Sequence, residues 1–172
     1  MPVSIRAATP GDLPAVLTLL REARLPTDGV PEHFGRFLVA EDAGRIIGCA
    51  GLEIYPDADR RAALLRSVAV NPARRGEDLG QRLTRAALDR ARADGVTEVA
   101  LLTTTAQDFF TRFGFAPVPR ETVNPALHAS SEFQGACCET AVTMRLHLAP
   151  PAPGEIWPAA GAPAAGRDSR GG

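Results

Sequence analysis

Hydrophobic positions at the start of the chain change from a strand pattern to a helix pattern within a few residues. SIRAAT, residues 4–9, has the composition of a short strand, and residues 8–25 repeat their apolar positions with a helical period. Thr9, Pro10 and Asp12 are typical of a helix start. The apolar stripe consists of Leu13, Val16, Leu17 and Leu20. The pattern predicts a strand followed by an amphipathic helix.

A hairpin and a further strand are predicted next. Residues 37–54 contain two apolar runs, FLVAED and RIIGCAGLEI, separated by a turn at Ala43 and Gly44. ALLRSVAV, residues 63–70, reads as the following strand. Side chains alternate across a strand, so two faces are expected. One would carry Leu64, Arg66, Val68 and Val70, and the other Leu65, Ser67 and Ala69.

The second half of the chain continues the alternation of helices and strands. A long helix is predicted to end at Gly95, and a short one, AQDFFTRF, at Gly114. The stripe of the long helix consists of Leu79, Leu83, Ala86, Ala87 and Ala91. Strands are expected at VTEVALLTT between the helices and near residues 115–122 and 140–148 after them. The order βαββ(β)αβαββ predicts a mixed α/β fold with one central sheet flanked by helices.

The composition changes after Leu148. Residues 149–172 are so rich in Ala, Pro and Gly that they cannot bury enough surface to offset their chain entropy. We expect a single domain over residues 1–148 and a disordered tail over residues 149–172. Ile156 and Trp157 suit a short docking motif, although a stray apolar pair in a flexible tail is the simpler interpretation.

Charge and cysteine usage narrow the function classes. The net charge is −1 without a charged block, which argues against nucleic-acid and membrane-surface partners. Every basic residue other than histidine is arginine, which excludes a lysine nucleophile. No apolar run is long enough for a membrane span, and three cysteines with two adjacent suit a reducing compartment, so we expect a cytoplasmic protein. His33, His128 and His147 lack metal-ligand spacing and are expected to be solvated.

The segment NPARRGEDLG, residues 71–80, connects a predicted strand directly to a predicted helix. Free N–H groups in the first turn of a helix, together with the helix dipole, favour an anion at that place. Gly76 and Gly80 allow close approach of the backbone, and Arg74 and Arg75 add positive charge. The segment therefore predicts a phosphate site, against the alternative of a tight turn with solvated arginines.

The chain resembles the GNAT acetyltransferase superfamily over residues 1–148. SVAVNPARRGEDLGQRL looks like its acetyl-CoA-binding segment, with the loop motif running from Arg75 to Gly80, and FFTRFGF resembles its later aromatic helix. The element order agrees with a central, mostly antiparallel, splayed sheet flanked by helices. LLRSVAV, LLTTTAQDFF and SSEFQGACCETAVTM look most like the arsenic-resistance N-acetyltransferases of the ArsN type.

The resemblance implies acetyl-CoA as cosubstrate, no metal, a small-molecule amine as acceptor, and a homodimer. The backbone of Val68, Ala69 and Val70 would pair with the pantetheine arm, and the amides of Gly76, Asp78, Gly80 and Gln81 would bind pyrophosphate. The other cofactor-binding residues expected from it are Arg75, Glu77, Leu79, Thr104, Phe109 and Phe110. An organoarsenical amino acid such as arsinothricin is the acceptor that the subfamily suggests.

Candidate residues for the chemistry lie near the predicted strand ends. Glu53 is the expected general base, with Glu132 as the second choice. Arg66 and Ser67 are expected to bind the acceptor, since the arginine fork matches a carboxylate or oxyanion. The alternative for Arg66 is an ion pair across strands. Thr103, Thr104 and Thr105 end a strand where the cofactor would pass.

Two residues depart from the superfamily pattern. Phe110 stands where many members carry a tyrosine that protonates the leaving thiolate, so the thiolate must leave unaided or through water. Asp78 stands at the first motif glycine and brings a carboxylate to the phosphate site. Loss of catalysis in an acetyl-CoA-binding fold is therefore one alternative. Binding of trivalent arsenic by Cys49, Cys137 and Cys138 is another alternative. The simpler interpretation is that these cysteines are small buried hydrophobic residues.

Overall fold

A computed structural model describes residues 3–57, 60–136 and 140–149. Seven strands form one sheet in the order β1-β2-β3-β4-β5-β7-β6. Neighbouring strands are antiparallel except for β4 and β5, which are parallel. The strands are β1 (Ser4–Ala7), β2 (Phe37–Asp42), β3 (Arg45–Asp57), β4 (Arg60–Val70), β5 (Val96–Thr103), β6 (Ala116–Pro117) and β7 (Val142–His147).

Four α-helices connect these strands: α1 (Leu13–Glu22), α2 (Val30–His33), α3 (Leu79–Ala93) and α4 (Gln107–Thr111). A 3-10 turn at Pro10–Asp12 leads into α1, and the Asp12 carboxylate accepts the backbone N–H of Thr9. The mixed α/β fold and the βαβββαβαββ order predicted from the sequence are confirmed. The one-turn helix α2 was not predicted, because four residues are too few to show a helical period.

Helices pack on both faces of the sheet. One face is covered by α3 and α4, whose Leu83, Ala87 and Phe110 join a core with Leu52 and Leu65. The opposite face is covered by α1 and α2 next to β2 and β3, and by the segment 120–129 next to β4 and β5. The stripes predicted for both long helices are therefore the faces that these helices bury.

The parallel ladder between β4 and β5 is short. It pairs Arg61 with Val96 at one end and Leu64 with Ala100 at the other, and no pairing follows although both strands continue. The last six residues of β4 and the last three of β5 thus diverge. A parallel ladder that stops early leaves backbone groups on the facing strand edges free to bind another molecule.

A β-bulge interrupts β4 beside this opening. Cys49 pairs with Ala69 and Gly51 with Arg66, so Ser67 and Val68 together face a single residue of β3. Ser67 takes a left-handed φ of 58°, which an L-residue rarely adopts. The extra residue shifts the alternation of faces, and the prediction that Leu64 shares a face with Val68 is wrong. Leu64 lies in the core under residues 120–129, whereas Val68 packs on the α3 side with Leu65.

The end of the domain is less regular than predicted. Of the strand expected near residues 115–122, only Ala116–Pro117 is extended, and it pairs with β7. Short 3-10 turns occupy Arg120–Thr122 and Pro125–Ala129, and a π-helical turn covers Glu132–Ala136. Pro117, Pro119 and Pro125 restrict strand pairing here, which explains the difference. Among the described residues, none of the helices is long and apolar enough to cross a membrane.

Candidate active site

A cleft of about 900 Å³ occupies the opening between β4 and β5. The backbone of residues 65–70 forms one wall, and residues 101–106 form the other. The loop 74–81 closes one end, and residues 23–26 and Glu132 lie along the cleft as well. The sheet is thus split where the cleft forms, and groups from distant parts of the chain meet there.

The loop after β4 has the geometry of an anion site. Gly76 has a φ of 89°, which favours glycine, whereas Gly80 is not in this region. A Cβ atom added at Gly80 would meet no other protein side chain closer than 3.5 Å. Packing within the protein therefore does not require glycine at Gly80, and the missing side chain leaves room on the cleft side. The amides of Leu79, Gly80 and Gln81 begin α3 and have no acceptor in the helix.

The charged side chains of this loop differ in their partners. Arg74 forms ion pairs with Asp42 and Glu77, each at 2.7 Å, so neither Arg74 nor Glu77 is free for a ligand. Arg75 makes no side-chain hydrogen bond or ion pair within residues 3–57, 60–136 and 140–149. Asp78 precedes α3 with a left-handed φ of 59°, and its side chain does not cap the helix. No described cation pairs with Asp78, so its exposed carboxylate lies unneutralised beside the free amides.

The wall formed by β5 and α4 is polar at one end and aromatic at the other. Thr103 accepts the backbone N–H of Ala106 and so fixes the turn into α4, while Thr104 is exposed. Phe109 is partly exposed and approaches Gly80 at the loop. Phe110 is 7% exposed and packs edge-on against Phe109. All four residues line the cleft, and α4 presents no hydroxyl where the superfamily pattern has a tyrosine.

A buried ion pair lies under the opposite part of the cleft. Arg66 has a fully buried side chain, and its Nη1 donates to Glu53 Oε2 at 2.6 Å. Its other donors reach Ser67 Oγ and the backbone carbonyls of Pro26 and Asp28. These bonds hold the segment after α1 against β4. The cross-strand ion pair considered for Arg66 is therefore present, although Arg66 also lines the cleft.

Glu53 is 1% exposed and is surrounded by donors. Burial alone would raise the pKa of its carboxyl, but the hydrogen bonds from Tyr55 and Arg66 outweigh burial and hold the pKa below its ordinary value. Burial and the neighbouring carboxylate raise the pKa of Tyr55. The expectation that His33 is solvated is wrong, because its Nε2 lies 3.6 Å from Glu53 Oε1 and its side chain is 29% exposed. Glu53 is not among the residues lining the cleft.

Glu132 lines the cleft and has the opposite electrostatic environment. Its Oε1 lies 3.7 Å from Arg66 Nε, beyond hydrogen-bond distance, and its side chain is 6% exposed. Burial raises the pKa of the Glu132 carboxyl to about 7; Arg66 opposes the rise and Glu53 adds to it. A carboxylate with this pKa can accept a proton from a bound amine near neutral pH.

Most of the predicted site residues meet in one cleft. These are Arg66, Ser67, Val68, Ala69, Val70, Arg75, Gly76, Asp78, Leu79, Gly80, Gln81, Thr104, Phe109, Phe110 and Glu132. Glu53 and Glu77 lie outside its lining. Two residues near these groups were not predicted from the sequence: Arg24, which lines the cleft, and Tyr55, which donates a hydrogen bond to Glu53. The position of Tyr55, two residues after Glu53 on one strand, is a signal that it shares the face of Glu53.

The cysteines give little support to a metalloid site. Burial raises the pKa of the Cys49 thiol to about 12, and its Sγ donates to the Ser67 carbonyl at 3.1 Å. Such a thiol stays protonated, as expected of a small buried hydrophobe. Cys137 and Cys138 lie outside the described residues. Residues 3–57, 60–136 and 140–149 contain no group of three or more metal-ligating side chains.

Comparison with known proteins identifies related domains. Residues 33–117 match the family model described as acetyltransferase (GNAT) domain. The amino-acid acetyltransferase of Neisseria meningitidis serogroup A is 30% identical over 122 residues, covering 66% of this chain and 27% of that protein. The amino-acid acetyltransferase of Azotobacter vinelandii is 35% identical over 133 residues, covering 73% and 30%. The chain thus spans less than a third of the length of these curated relatives.

Solved structures share the fold. N-acetylglutamate synthase from Neisseria gonorrhoeae, complexed with coenzyme A and N-acetyl-glutamate, has a TM-score of 0.72 at 24% identity, covering 87% of this chain and 36% of that one. Rv2747 from Mycobacterium tuberculosis, in complex with CoA and NLQ, has a TM-score of 0.70 at 23% identity, covering 85% and 99%. Both comparisons support the arrangement of sheet and helices described above.

The environment of Glu132 predicts a pH-dependent stability. Its folded pKa of about 7 exceeds the ordinary value of 4.5, so the folded state binds more protons and its stability falls as pH rises through this window. Glu132→Gln should remove the penalty and raise the free energy of unfolding at pH 8, relative to wild type, by about 2 to 3 kcal/mol. Urea unfolding at pH 5 and pH 8 measures the effect.

Glu121→Gln, a substitution at an exposed carboxylate in the turn Arg120–Thr122, is the matched control and should follow wild type at both pH values. An equal pH dependence in Glu132→Gln and wild type would contradict the raised pKa.

Proposed function

Because the chain carries an acetyltransferase domain of the GNAT family, we propose that it transfers the acetyl group of acetyl-CoA to the amino group of an amino acid or a closely related small molecule. The observation that carries the proposal is the cleft between β4 and β5, which joins a phosphate-type loop to a buried carboxylate of raised pKa. The amino-acid acetyltransferases among the relatives support an amino acid as acceptor.

The residues along the cleft fit acetyl-CoA. We propose that the edge of Val68–Val70, which has no strand partner on the β5 side, pairs with the pantetheine arm. Pyrophosphate would bind the amides of Gly76, Asp78, Gly80 and Gln81, where Gly80 leaves room for close approach. Phe109 and Thr104 would flank the arm on the opposite wall. Arg75, which is free of intramolecular ion pairs in the described part of the chain, supplies positive charge at the loop.

Glu132 is the better candidate for the general base. Glu53, the base expected from the sequence, is held ionised by Arg66 and Tyr55 and does not line the cleft, so it is a weak proton acceptor there. Glu132 faces the cleft with a pKa of about 7. In the proposed step the ammonium group of the acceptor gives a proton to Glu132. The neutral amine then attacks the thioester carbonyl, a C–N bond forms and the C–S bond breaks, and the second proton that the nitrogen loses on becoming an amide goes to water or to the departing thiolate.

The leaving thiolate receives no proton from α4. Phe110 has no hydroxyl, and the hydroxyl of the chain's single tyrosine, Tyr55, donates a hydrogen bond to Glu53. A thiol with an ordinary pKa of about 8.5 yields an acceptable leaving group near neutral pH, so the thiolate leaves unaided or takes a proton from water. The protein's contribution is then the alignment of two substrates and the acceptance of one proton.

The exact acceptor, the oligomeric state and the cellular location are not given by the similarity to the relatives. An organoarsenical amino acid such as arsinothricin, and with it arsenic resistance, stays a prediction that the ArsN-type segments support. Homodimer formation and a cytoplasmic location stay predictions as well. An acetyl-CoA-binding domain with weak catalysis is the second candidate, because Asp78 brings an unneutralised carboxylate to the loop.

Purified protein with acetyl-CoA should release thiol when an accepted amino acid is added, as measured with a thiol-reactive dye. The panel contains L-glutamate, other L-amino acids, arsinothricin and simple alkylamines. We expect stimulation by one or more amino acids and little by alkylamines. Binding of acetyl-CoA without stimulation by any amine would favour the second candidate, and failure to bind acetyl-CoA would contradict both.

Replacement of the two carboxylates distinguishes the candidate bases. Glu132→Gln should lower kcat by about 10²- to 10⁴-fold and remove the limb of the pH–rate profile near pH 7. Glu53→Gln should lower stability, because it leaves Arg66 buried without its charge partner, yet keep that limb in the folded fraction. The opposite pattern, with the limb lost only in Glu53→Gln, would assign the base to Glu53.

Replacement of Asp78 tests the phosphate loop. Asp78→Gly and Asp78→Asn should both bind acetyl-CoA about 5- to 50-fold more tightly than wild type at low salt, because each removes repulsion between the carboxylate and the pyrophosphate. Asn tolerates the left-handed backbone as Asp does, so Asp78→Asn separates charge from backbone strain. Calorimetry at low and high salt measures both, and the gain should shrink as salt screens the charges. Equal affinity in all three proteins would show that Asp78 is a bystander.

A further inference from the structure

Arg24 has a strained backbone at the edge of the cleft. It follows the end of α1 with a φ of 57°, in the left-handed region where helices commonly place glycine. Its N–H reaches the Arg21 carbonyl at 3.1 Å, and the N–H of Leu25 reaches the Leu20 carbonyl at 2.9 Å, so the segment closes the helix as a C-terminal cap. Arginine is costly at such a position, and strained residues of this kind concentrate at binding sites.

The side chain of Arg24 has no polar partner in the described part of the chain. Four arginines line the cleft. Arg66 is hydrogen-bonded to Glu53 and to backbone carbonyls, and Arg74 is ion-paired with Asp42 and Glu77. Arg24 is exposed and makes no side-chain hydrogen bond or ion pair with any described residue, which is also true of Arg75. Of the four arginines that line the cleft, Arg75 in the loop 74–81 and Arg24 after α1 are thus the two without a polar partner among the described residues.

Arg24 lies at the part of the cleft that holds the buried charges. The carbonyl of Pro26 accepts from Arg66 Nη2 at 3.1 Å, so the segment after α1 passes over Arg66. Two residues span at most about 7 Å of extended chain, which places the Arg24 backbone near Arg66. Glu132 also lies close to Arg66, with its Oε1 3.7 Å from Arg66 Nε.

The charges at this place favour a zwitterion. When Glu132 is ionised, two carboxylates face the single buried cation Arg66, and the excess negative charge suits an ammonium group. Arg66 is poorly suited to take an acid group as well, because its side chain is fully buried and four of its five N–H donors are already in hydrogen bonds. A negative group on the same ligand requires another cation, and Arg24 is the free one nearby.

We propose that Arg24 binds the α-carboxylate of the acceptor amino acid and thereby determines that the enzyme acts on amino acids rather than on simple amines. The inference rests on the proposed function and deepens it. Arginine offers parallel N–H donors that match a carboxylate, and its left-handed backbone is the strain that the fold tolerates to place it there.

The test compares L-glutamate with isoglutamine, in which an amide replaces the α-carboxylate. Calorimetry with coenzyme A present, and steady-state kinetics with acetyl-CoA, are carried out on wild type and Arg24→Gly. We expect the KM and Kd for L-glutamate to rise at least tenfold in Arg24→Gly, with kcat changed far less. The values for isoglutamine should stay the same, and acetyl-CoA affinity should be unaffected.

The melting temperature distinguishes a binding role of Arg24 from a purely structural one. If Arg24 were only structural, its replacement would lower Tm. Glycine fits the left-handed backbone, so Arg24→Gly should keep or raise Tm while losing L-glutamate affinity. Arg24→Lys should retain part of the affinity, and Arg21→Gln, at an exposed arginine on α1 outside the cleft lining, should match wild type.

The outcomes separate the two proposals. If amino acids are acetylated but the KM and Kd of Arg24→Gly for L-glutamate and isoglutamine equal those of wild type, Arg24 is not the carboxylate site and the proposed function stands. A loss of acetyl-CoA affinity in Arg24→Gly would assign Arg24 to the cofactor and overturn the proposal. If no amino acid binds or is acetylated by wild type, both the proposed function and the role of Arg24 fail.

Discussion

The parallel ladder of β4 and β5 stops after Leu64 and Ala100, and the candidate site depends on that early stop. Had the ladder continued, the backbone of residues 65–70 would be bonded to β5, and no cleft would exist between the two strands. The bulge at Ser67 contributes to the separation, because it bends β4 and reverses which side chains face α3. A sheet that is continuous on both sides of a split thus provides rigid walls and free backbone groups together.

Buried charge around Arg66 gives two glutamates different chemistry. Glu53 bonds directly to the guanidinium and to Tyr55, and its pKa is lowered. Glu132 is nearly as buried but stands 3.7 Å from Arg66 Nε without a hydrogen bond to it, and its pKa is raised to about 7. One cation therefore cannot fully compensate two carboxylates, and the carboxylate left over is the one that faces the cleft. The residue best suited to accept a proton is defined by this imbalance.

Besides Ser67 at the bulge, two charged residues that line the cleft have left-handed conformations. Asp78 precedes α3 at the loop and carries a charge of the wrong sign for a phosphate. Arg24 follows α1 and carries a charge of the right sign for a carboxylate. Glycine would fit either backbone with less strain. The same backbone conformation therefore has different consequences for ligand binding at the two positions. The charge of the side chain and of the groups around it decides whether the residue favours or opposes a ligand.

Local patterns in the sequence were sufficient for the elements and for bringing together much of the proposed cofactor side of the cleft. Periodicity predicted the order of strands and helices, and the loop 71–80 is a contiguous motif, so its residues share one place once the strand and the helix form. The arrangement of the proposed acceptor side was decided by tertiary structure. Glu53, Arg66 and Glu132 come from β3, β4 and the turn Glu132–Ala136, and only their packing determines which carboxylate bonds to Arg66. A period-2 pattern does not reveal one extra residue in a strand, so the bulge at Ser67 was not predictable from the sequence. The position of Arg24 at the cleft likewise became visible only in the folded chain.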